Sequence, residues 1–277
     1  MEYSPKKMQD QLNKHGFYFK KNFGQNFIID ENIIQSIIKK SEIDSDTLVI
    51  EIGPGAGSLT YLLGKHAKQV LCYEIDSKLK DILDENLEGL KNVEVIYEDF
   101  LKRDVLSDLK KYSYQKLYVV ANLPYYITTP IITKIIEDGI MVDKMVVMVQ
   151  KEVGDRFKAK PGSKEYNSLS IYLNYYFQVT KLLDVSKNVF LPKPNVDSIV
   201  VEFTKKEQRY EVTDEALFFQ LVKDSFTQKR KTLRNNLKNY PQDKILEVLK
   251  KYGYDLNVRA EQLSIEVFVE IANYLTK

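Results

Sequence analysis

Thr47-Leu48-Val49-Ile50-Glu51-Ile52-Gly53-Pro54-Gly55-Ala56-Gly57-Ser58 is the stretch that decides the fold. Its first half is apolar and β-branched, the pattern of a strand buried in a parallel sheet. It runs directly into three closely spaced glycines, after which Leu59, Leu62 and Leu63 open a helix. Strand, glycine-rich turn and helix form the first half of a nucleotide-binding βαβ unit, in which glycines let the backbone approach a ligand. A lone Gly-x-Gly-x-Gly is a weak signal; here its flanks give it meaning.

Working outward, Gln69 to Tyr73 reads as a second strand ending in Glu74-Ile75-Asp76. Glu74 follows Gly53 by 21 residues, where an acidic side chain accepts from ribose hydroxyls. It could equally be a charge at a helix N-terminus, a role that suits Asp76 better. A helix is expected from Ser77 to about Leu90. Val93 to Tyr97 is a third strand, ending in Glu98-Asp99-Phe100. Asp99 there either accepts from an adenine amine or caps a turn.

Leu117 to Ala121 is a fourth strand, leading into Asn122-Leu123-Pro124-Tyr125-Tyr126-Ile127-Thr128-Thr129-Pro130 and a helix over 131–136. In open α/β sheets ligands bind at such strand ends. Asn122 offers an acceptor and a donor, Pro124 fixes the turn, and Tyr125 offers a face for stacking. That set suits a flat base with an exocyclic amine. A plain turn with a solvated Asn is the alternative.

Upstream, Gly24-Gln25-Asn26-Phe27-Ile28 precedes Asp30, a good N-cap for a helix over 31–40. Residues 1–22 are polar and basic (Lys6, Lys7, Lys14, Lys20, Lys21) and read either as a solvated segment or as a basic arm. Downstream, Lys144 to Val149 is a fifth strand, Gln150 to Phe157 is helical, Ser168 to Phe177 reads as helix ahead of strand because its aromatics obscure the period, and Gln178 to Asp184 and Ser198 to Phe203 form a late strand pair. The loop Phe190-Leu191-Pro192-Lys193-Pro194 would present Phe190 as a second aromatic plate, or bury it. We place a domain boundary after residue 206, giving domains 1–206 and 207–277. Helices are expected over Asp214–Phe226, Lys229–Leu237, Pro241–Tyr252 and Ser264–Leu275. Lys223 to Lys238 carries six basic residues and one acid. With Thr232, Asn235 and Asn236 among them, this suits phosphate and sugar contacts of RNA or DNA.

A formal net charge of +2 in 277 residues announces no polyanion partner by itself. Cys72 is the only cysteine and His15 and His66 the only histidines, so neither an intrachain disulfide nor a Cys/His metal site is expected. No apolar run approaches membrane-spanning length, and the polar N-terminus is unlike a secretory signal. A cytoplasmic protein with no membrane contact is the expectation.

These motifs, in this order over nearly the whole chain, resemble the ribosomal RNA adenine N6,N6-dimethyltransferases. The resemblance is carried by Gly24–Phe27, Glu51–Gly57, Glu74, Glu98-Asp99, Asn122–Tyr125, Phe190–Ser198 and Lys229–Asn236. It implies an α/β class I S-adenosylmethionine-dependent methyltransferase fold. That is a Rossmann-like sheet of seven strands, one antiparallel, followed by a small all-helical domain. It further implies N6,N6-dimethylation of two adjacent adenosines near the 3′ end of small-subunit (16S) ribosomal RNA. The partner would be a ribosomal subunit or assembly intermediate and the enzyme a monomer.

On the cofactor side the resemblance implies Gln25, Asn26, Ile28, Gly53, Gly55, Glu74, Ile75, Asp99, Phe100 and Asn122. Within that set Glu74 would hold the ribose, Asp99 the adenine amine, and Asn122 would bridge to the target. On the reacting side it implies Asn122, Leu123, Pro124, Tyr125 and Phe190; for RNA, Lys229, Arg230, Lys231 and Arg234. Tyr126 departs from the Asn often found there. A second aromatic also occurs in related enzymes that methylate large-subunit (23S) RNA and confer macrolide resistance, which keeps that substrate in view. A nicotinamide-dependent dehydrogenase shares the glycines and Glu74 but neither the Asn122–Tyr125 motif nor the basic tail. A non-catalytic RNA-binding assembly factor would use the same surfaces.

Overall fold

The computed structural model describes residues 5–19, 24–207 and 210–277. Among the described residues there are nine strands: β1 (Phe27–Ile28), β2 (Thr47–Ile52), β3 (Gln69–Tyr73), β4 (Val93–Ile96), β5 (Lys116–Asn122), β6 (Lys144–Gln150), β7 (Phe177–Val185), β8 (Phe190–Leu191) and β9 (Ser198–Lys205). Seven of them form one sheet in the order β4-β3-β2-β5-β6-β9-β7. Strands β2 to β6 pair in parallel, and β9 runs antiparallel to β6. Every residue of β2 is buried, as its unbroken apolar run requires.

Chain order reverses direction in the sheet at β2, which has β3 on one side and β5 on the other. This is a topological switch point, where the loops leaving two neighbouring parallel strands diverge and open a crevice. It brings the glycine turn after β2 beside the Asn122 motif after β5: a Cβ added to Gly53 would lie 3.7 Å from Cγ of Pro124. The exits of β3 and β4, bearing Glu74 and Asp99, continue the same edge.

Two features were not anticipated near the N-terminus. Pro5–Lys14 is a helix. Its Met8 and Leu12 are buried with Phe17, Phe27, Ala56, Leu83 and Leu87, so this part of the basic segment is not simply solvated. Lys20, Lys21 and Phe23 lie outside the described residues. In addition, β1 and β8 pair antiparallel, Phe27 opposite Leu191 and Ile28 opposite Phe190.

By packing, the chain divides into Met1–Gly154 with Thr180–Thr204, and Asp155–Val179 with Lys205–Lys277. The expected linear boundary at 206/207 does not contain the excursion over 155–179. Its cause is apolar: Ile171 and Tyr175, on helix Ser168–Tyr176, are buried with Phe218, Leu221, Val222 and Phe268. The other helices of this second unit are Glu215–Ser225, Leu233–Asn236, Gln242–Lys251 and Ile265–Leu275. Asp214 caps the first by accepting from Leu217 N–H at 2.9 Å.

The helix expected over Lys229–Leu237 is shorter: only Leu233–Asn236 is helical. The reason is local hydrogen bonding. The amides of Leu233 and Arg234 donate to the carbonyls of Val258 and Leu256, at 2.8 and 3.0 Å, which fixes the helix start there. Lys229, Arg230 and Lys231 precede it in a turn, so a common helical face for Arg230 and Arg234 is not formed.

Candidate active site

The switch-point crevice is a cleft of about 920 Å³ of empty space, solvent at its mouth included. Gln25, Asn26, Ile28, Gly53, Gly55, Glu74, Ile75, Asp99, Phe100, Asn122, Leu123, Pro124 and Tyr125 all line it.

Gly55 has φ +58°, and a Cβ there would lie 2.8 Å from the ring of Phe27, so the turn can be built only with glycine. Its N–H donates to Oε2 of Glu74 at 3.2 Å, while Asp76 N–H donates to Oε1 at 2.8 Å. Glu74 is 4% exposed. Burial pushes its carboxyl up to about 7, against the two main-chain N–H bonds that favour the ionised form. Ile75 next to it is exposed although apolar, offering a face to a flat ring. Asp99 caps the short turn Phe100–Lys102 by accepting from Leu101 N–H at 3.0 Å. The cap reading of Asp99 describes the structure, and the same residue lines the cleft.

The segment Gly24–Ile28 crosses the cleft. Gln25 Nε2 donates to Oδ2 of the buried Asp76 at 3.0 Å. Asn122 Nδ2 donates to the main-chain carbonyl of Asn26 at 2.8 Å. Tyr125 is held by its hydroxyl, 2.7 Å from Oγ of Ser198 at the start of β9, which anchors the far end of the ring. The Pro124 carbonyl already accepts from Ile127 N–H and the Thr128 hydroxyl, each at 3.2 Å.

Phe190 is not part of the cleft. Its pairing opposite Ile28 turns it into the core, where it is 2% exposed among Ile28, Val185 and Val200. Of the two sequence readings of this residue, the buried one describes the structure, and no second plate is supplied by Phe190. Lys229, Arg230, Lys231 and Arg234 belong to the other unit and are exposed. Lys229 Nζ donates to the Lys164 carbonyl at 3.2 Å.

Three lining or supporting groups escaped the sequence reading. Asp76, besides capping the turn Ser77–Leu79 as its position suggests, anchors Gln25, and Ser198 anchors Tyr125; no local pattern announces either anchoring. The third, Glu51, had a signal: it is an acid inside an apolar strand. It lines the cleft floor, is 1% exposed, and lies 3.6 Å from Sγ of Cys72. Burial pushes its carboxyl up to about 8, with the nearby Glu74 charge adding to the rise.

A mostly parallel sheet with β9 antiparallel to β6, an acid after β3, another after β4 and the Asn-Leu-Pro-Tyr turn after β5 together define a class I S-adenosylmethionine-dependent methyltransferase. Within that class the chain belongs to the ribosomal RNA adenine dimethylase family, whose sequence profile matches residues 16–277. It is 49% identical to ribosomal RNA small subunit methyltransferase A of Bacillus mycoides (strain KBAB4), covering 98% of this chain and 96% of that one. A dimethyladenosine transferase from Plasmodium falciparum has a similar crystal structure, with TM-score 0.74 and 29% identity over 88% of this chain and 95% of that one. The 23S rRNA methyltransferase ErmE follows with TM-score 0.71 and 25% identity over 91% and 100% of the two chains.

Among the described residues no helix is long and apolar enough to cross a membrane.

Proposed function

We infer that the chain transfers methyl groups from S-adenosylmethionine to the N6 amines of two adjacent adenosines near the 3′ end of small-subunit ribosomal RNA, giving N6,N6-dimethyladenosine. The observation that carries the reading is the placement of Asn122–Tyr125 and the Gly55–Glu74 pair on the same cleft. The residues present fit the cofactor. Glu74 keeps lone pairs for a ribose diol, Ile75 offers an apolar face, Asp99 can accept from an adenine amine, and Gln25, Asn26 and Ile28 close the other end. When bound, S-adenosylmethionine supplies a methyl group on a sulfonium, a strong electrophile.

The protein's own contribution is alignment. An adenine amine is a poor nucleophile because its lone pair is delocalised into the ring. Two acceptors placed on its N–H groups favour a more tetrahedral nitrogen whose lone pair is available. Asn122 Oδ1 is one, since the amide nitrogen is engaged by Asn26. The Leu123 carbonyl is the other, because that of Pro124 already accepts two bonds. Tyr125 stacks on the base, which must leave its own stack to enter. The proton lost after transfer goes to water. A second transfer needs only one remaining N–H, which a single acceptor serves.

The exposed cations of the helical unit would contact the RNA backbone. We further propose a ribosomal subunit or assembly intermediate as substrate, a monomeric enzyme and a cytoplasmic setting. The test is to incubate the protein with undermodified small subunits and S-adenosylmethionine and map the methylated adenines. Two adjacent dimethyladenosines near the 3′ end are expected. Modification of large-subunit RNA instead would favour the ErmE-like reading, and absence of transfer the non-catalytic one.

A further inference from the structure

We propose that Tyr126 and the main chain of Asn26 are positioning groups for Asn122: the Tyr126 ring holds the Gly24–Asn26 segment in place, and that segment fixes which end of the Asn122 amide faces the target amine. The proposal rests on the reading of Asn122 as an acceptor.

An asparagine side chain has two ends of nearly equal shape and opposite hydrogen-bonding sense. Half a turn about its last bond would present two donors to an amine that itself donates. The choice is made by whatever pairs with the other end. Here that partner is the Asn26 carbonyl, 2.8 Å from Nδ2. A carbonyl only accepts, so it selects the NH₂ group and leaves Oδ1 for the substrate.

The carbonyl can do this only if its own segment is fixed, and three contacts fix it. Asn26 Nδ2 donates back to the Gly24 carbonyl at 3.0 Å. Gln25 is tied to buried Asp76 at 3.0 Å. Gly24 lies against the ring of Tyr126: a Cβ there would stand 3.0 Å from Cδ1 and 3.4 Å from Cε1, and its φ of +58° is one that side chains rarely adopt. The contact uses the edge carbons of the ring. The hydroxyl makes no hydrogen bond within the described residues, and the side chain is 53% exposed. An exposed aromatic ring at this position thus has a use besides stacking on the base: it is the wall on which the segment rests.

The test uses the whole protein, undermodified small subunits and saturating S-adenosylmethionine. Tyr126→Ala is expected to lower the maximal transfer rate about fivefold, the preference one hydrogen bond confers, with KM for the subunits unchanged. Tyr126→Phe, which keeps the ring edge, should restore the rate. The Asn122 side-chain amide signals in nitrogen-15 NMR, unchanged in Tyr126→Phe, should move and broaden in Tyr126→Ala. Combining Tyr126→Ala with Gly24→Ala should give less than the sum of the two losses, since both act on one contact. An unchanged rate in Tyr126→Ala overturns the proposal, as does an equal loss in Tyr126→Phe. A raised KM with an intact rate overturns it too, by assigning the ring to the base. Failure of the underlying reading shows separately, as turnover retained in Asn122→Ala.

Discussion

Gly55 and Glu74 are 19 residues apart in the chain and joined by a 3.2 Å hydrogen bond from the glycine N–H to the carboxylate. The bond ties the glycine-rich turn to the exit of β3, so the floor of the cleft and its acidic acceptor move together. With the carboxyl pushed up to about 7 by burial, protonation competes with any ligand that donates to it. Hydroxyl donors favour the ionised form, so S-adenosylmethionine affinity should be full at pH 8 and fall below pH 7, by up to about tenfold per pH unit. Binding near pH 7 should release a proton. Glu74→Ala should lose about 1.5–3 kcal/mol of cofactor binding and flatten the profile. Calorimetry at pH 6 and pH 8 decides it; equal affinities in the parent protein would refute the assignment.

Asn122→Ala should leave the fold intact and lower methyl transfer by roughly 10²–10³-fold, as for other lost polar groups that act on a developing charge. Single-turnover rates with small subunits provide the measurement. Turnover within a few-fold of the parent would remove Asn122 from the reaction.

Glu51 makes a prediction about stability. Its folded pKa of about 8 lies above the ordinary 4.5, so the native state holds a proton that the unfolded chain releases between those values. The associated stability is present below pH 4.5 and is lost as pH rises through 8. Glu51→Gln carries no such charge and should gain on the parent by about 4 kcal/mol between pH 5 and pH 8.5. Urea midpoints at the two pH values test this; parallel shifts in both proteins would contradict it.

For the basic segment, each phosphate contact removed should reduce the slope of log affinity against log salt by about 0.7–0.9. Arg230→Ala, Lys231→Ala and Arg234→Ala are expected to show this individually. Lys229→Ala should show less, because its ammonium is already bonded to the Lys164 carbonyl. S-adenosylmethionine affinity should not change. If RNA affinity and slope stay as in the parent, these side chains are a solvated surface.

The sheet was legible because its strands are buried and local: β2, β3 and β5 each announce themselves as short apolar runs closed by glycine, acid or amide. The cleft residues were legible for the same reason, since strand ends in such a sheet converge on one edge. What escaped depends on partners distant in sequence. Strands β1 and β8 are two residues each, too short to carry a period, and their pairing sends Phe190 inward. Met8 and Leu12 mark a buried helix face, hidden among lysines and amides. The helix near Arg230 is shortened by bonds to Leu256 and Val258 that no local pattern reveals. The aromatics of Ser168–Tyr176 obscured its period, since four lie in the six residues from Tyr172 through Phe177, and its neighbours in the core come from far downstream.

The membership of 155–179 in the helical unit has a consequence for biosynthesis and for dissection of the protein. The first part of that unit leaves the ribosome before β9, and the rest follows after it, so the helical unit is begun before the sheet is complete and finished only after it. Cutting the chain at residue 206 would therefore not separate two self-sufficient pieces. The N-terminal fragment would keep Ile171 and Tyr175 stripped of Phe218, Leu221 and Phe268, an adhesive apolar surface with no cover. A viable excision has to take 155–179 along with the tail and join Gly154 to Thr180, within β7.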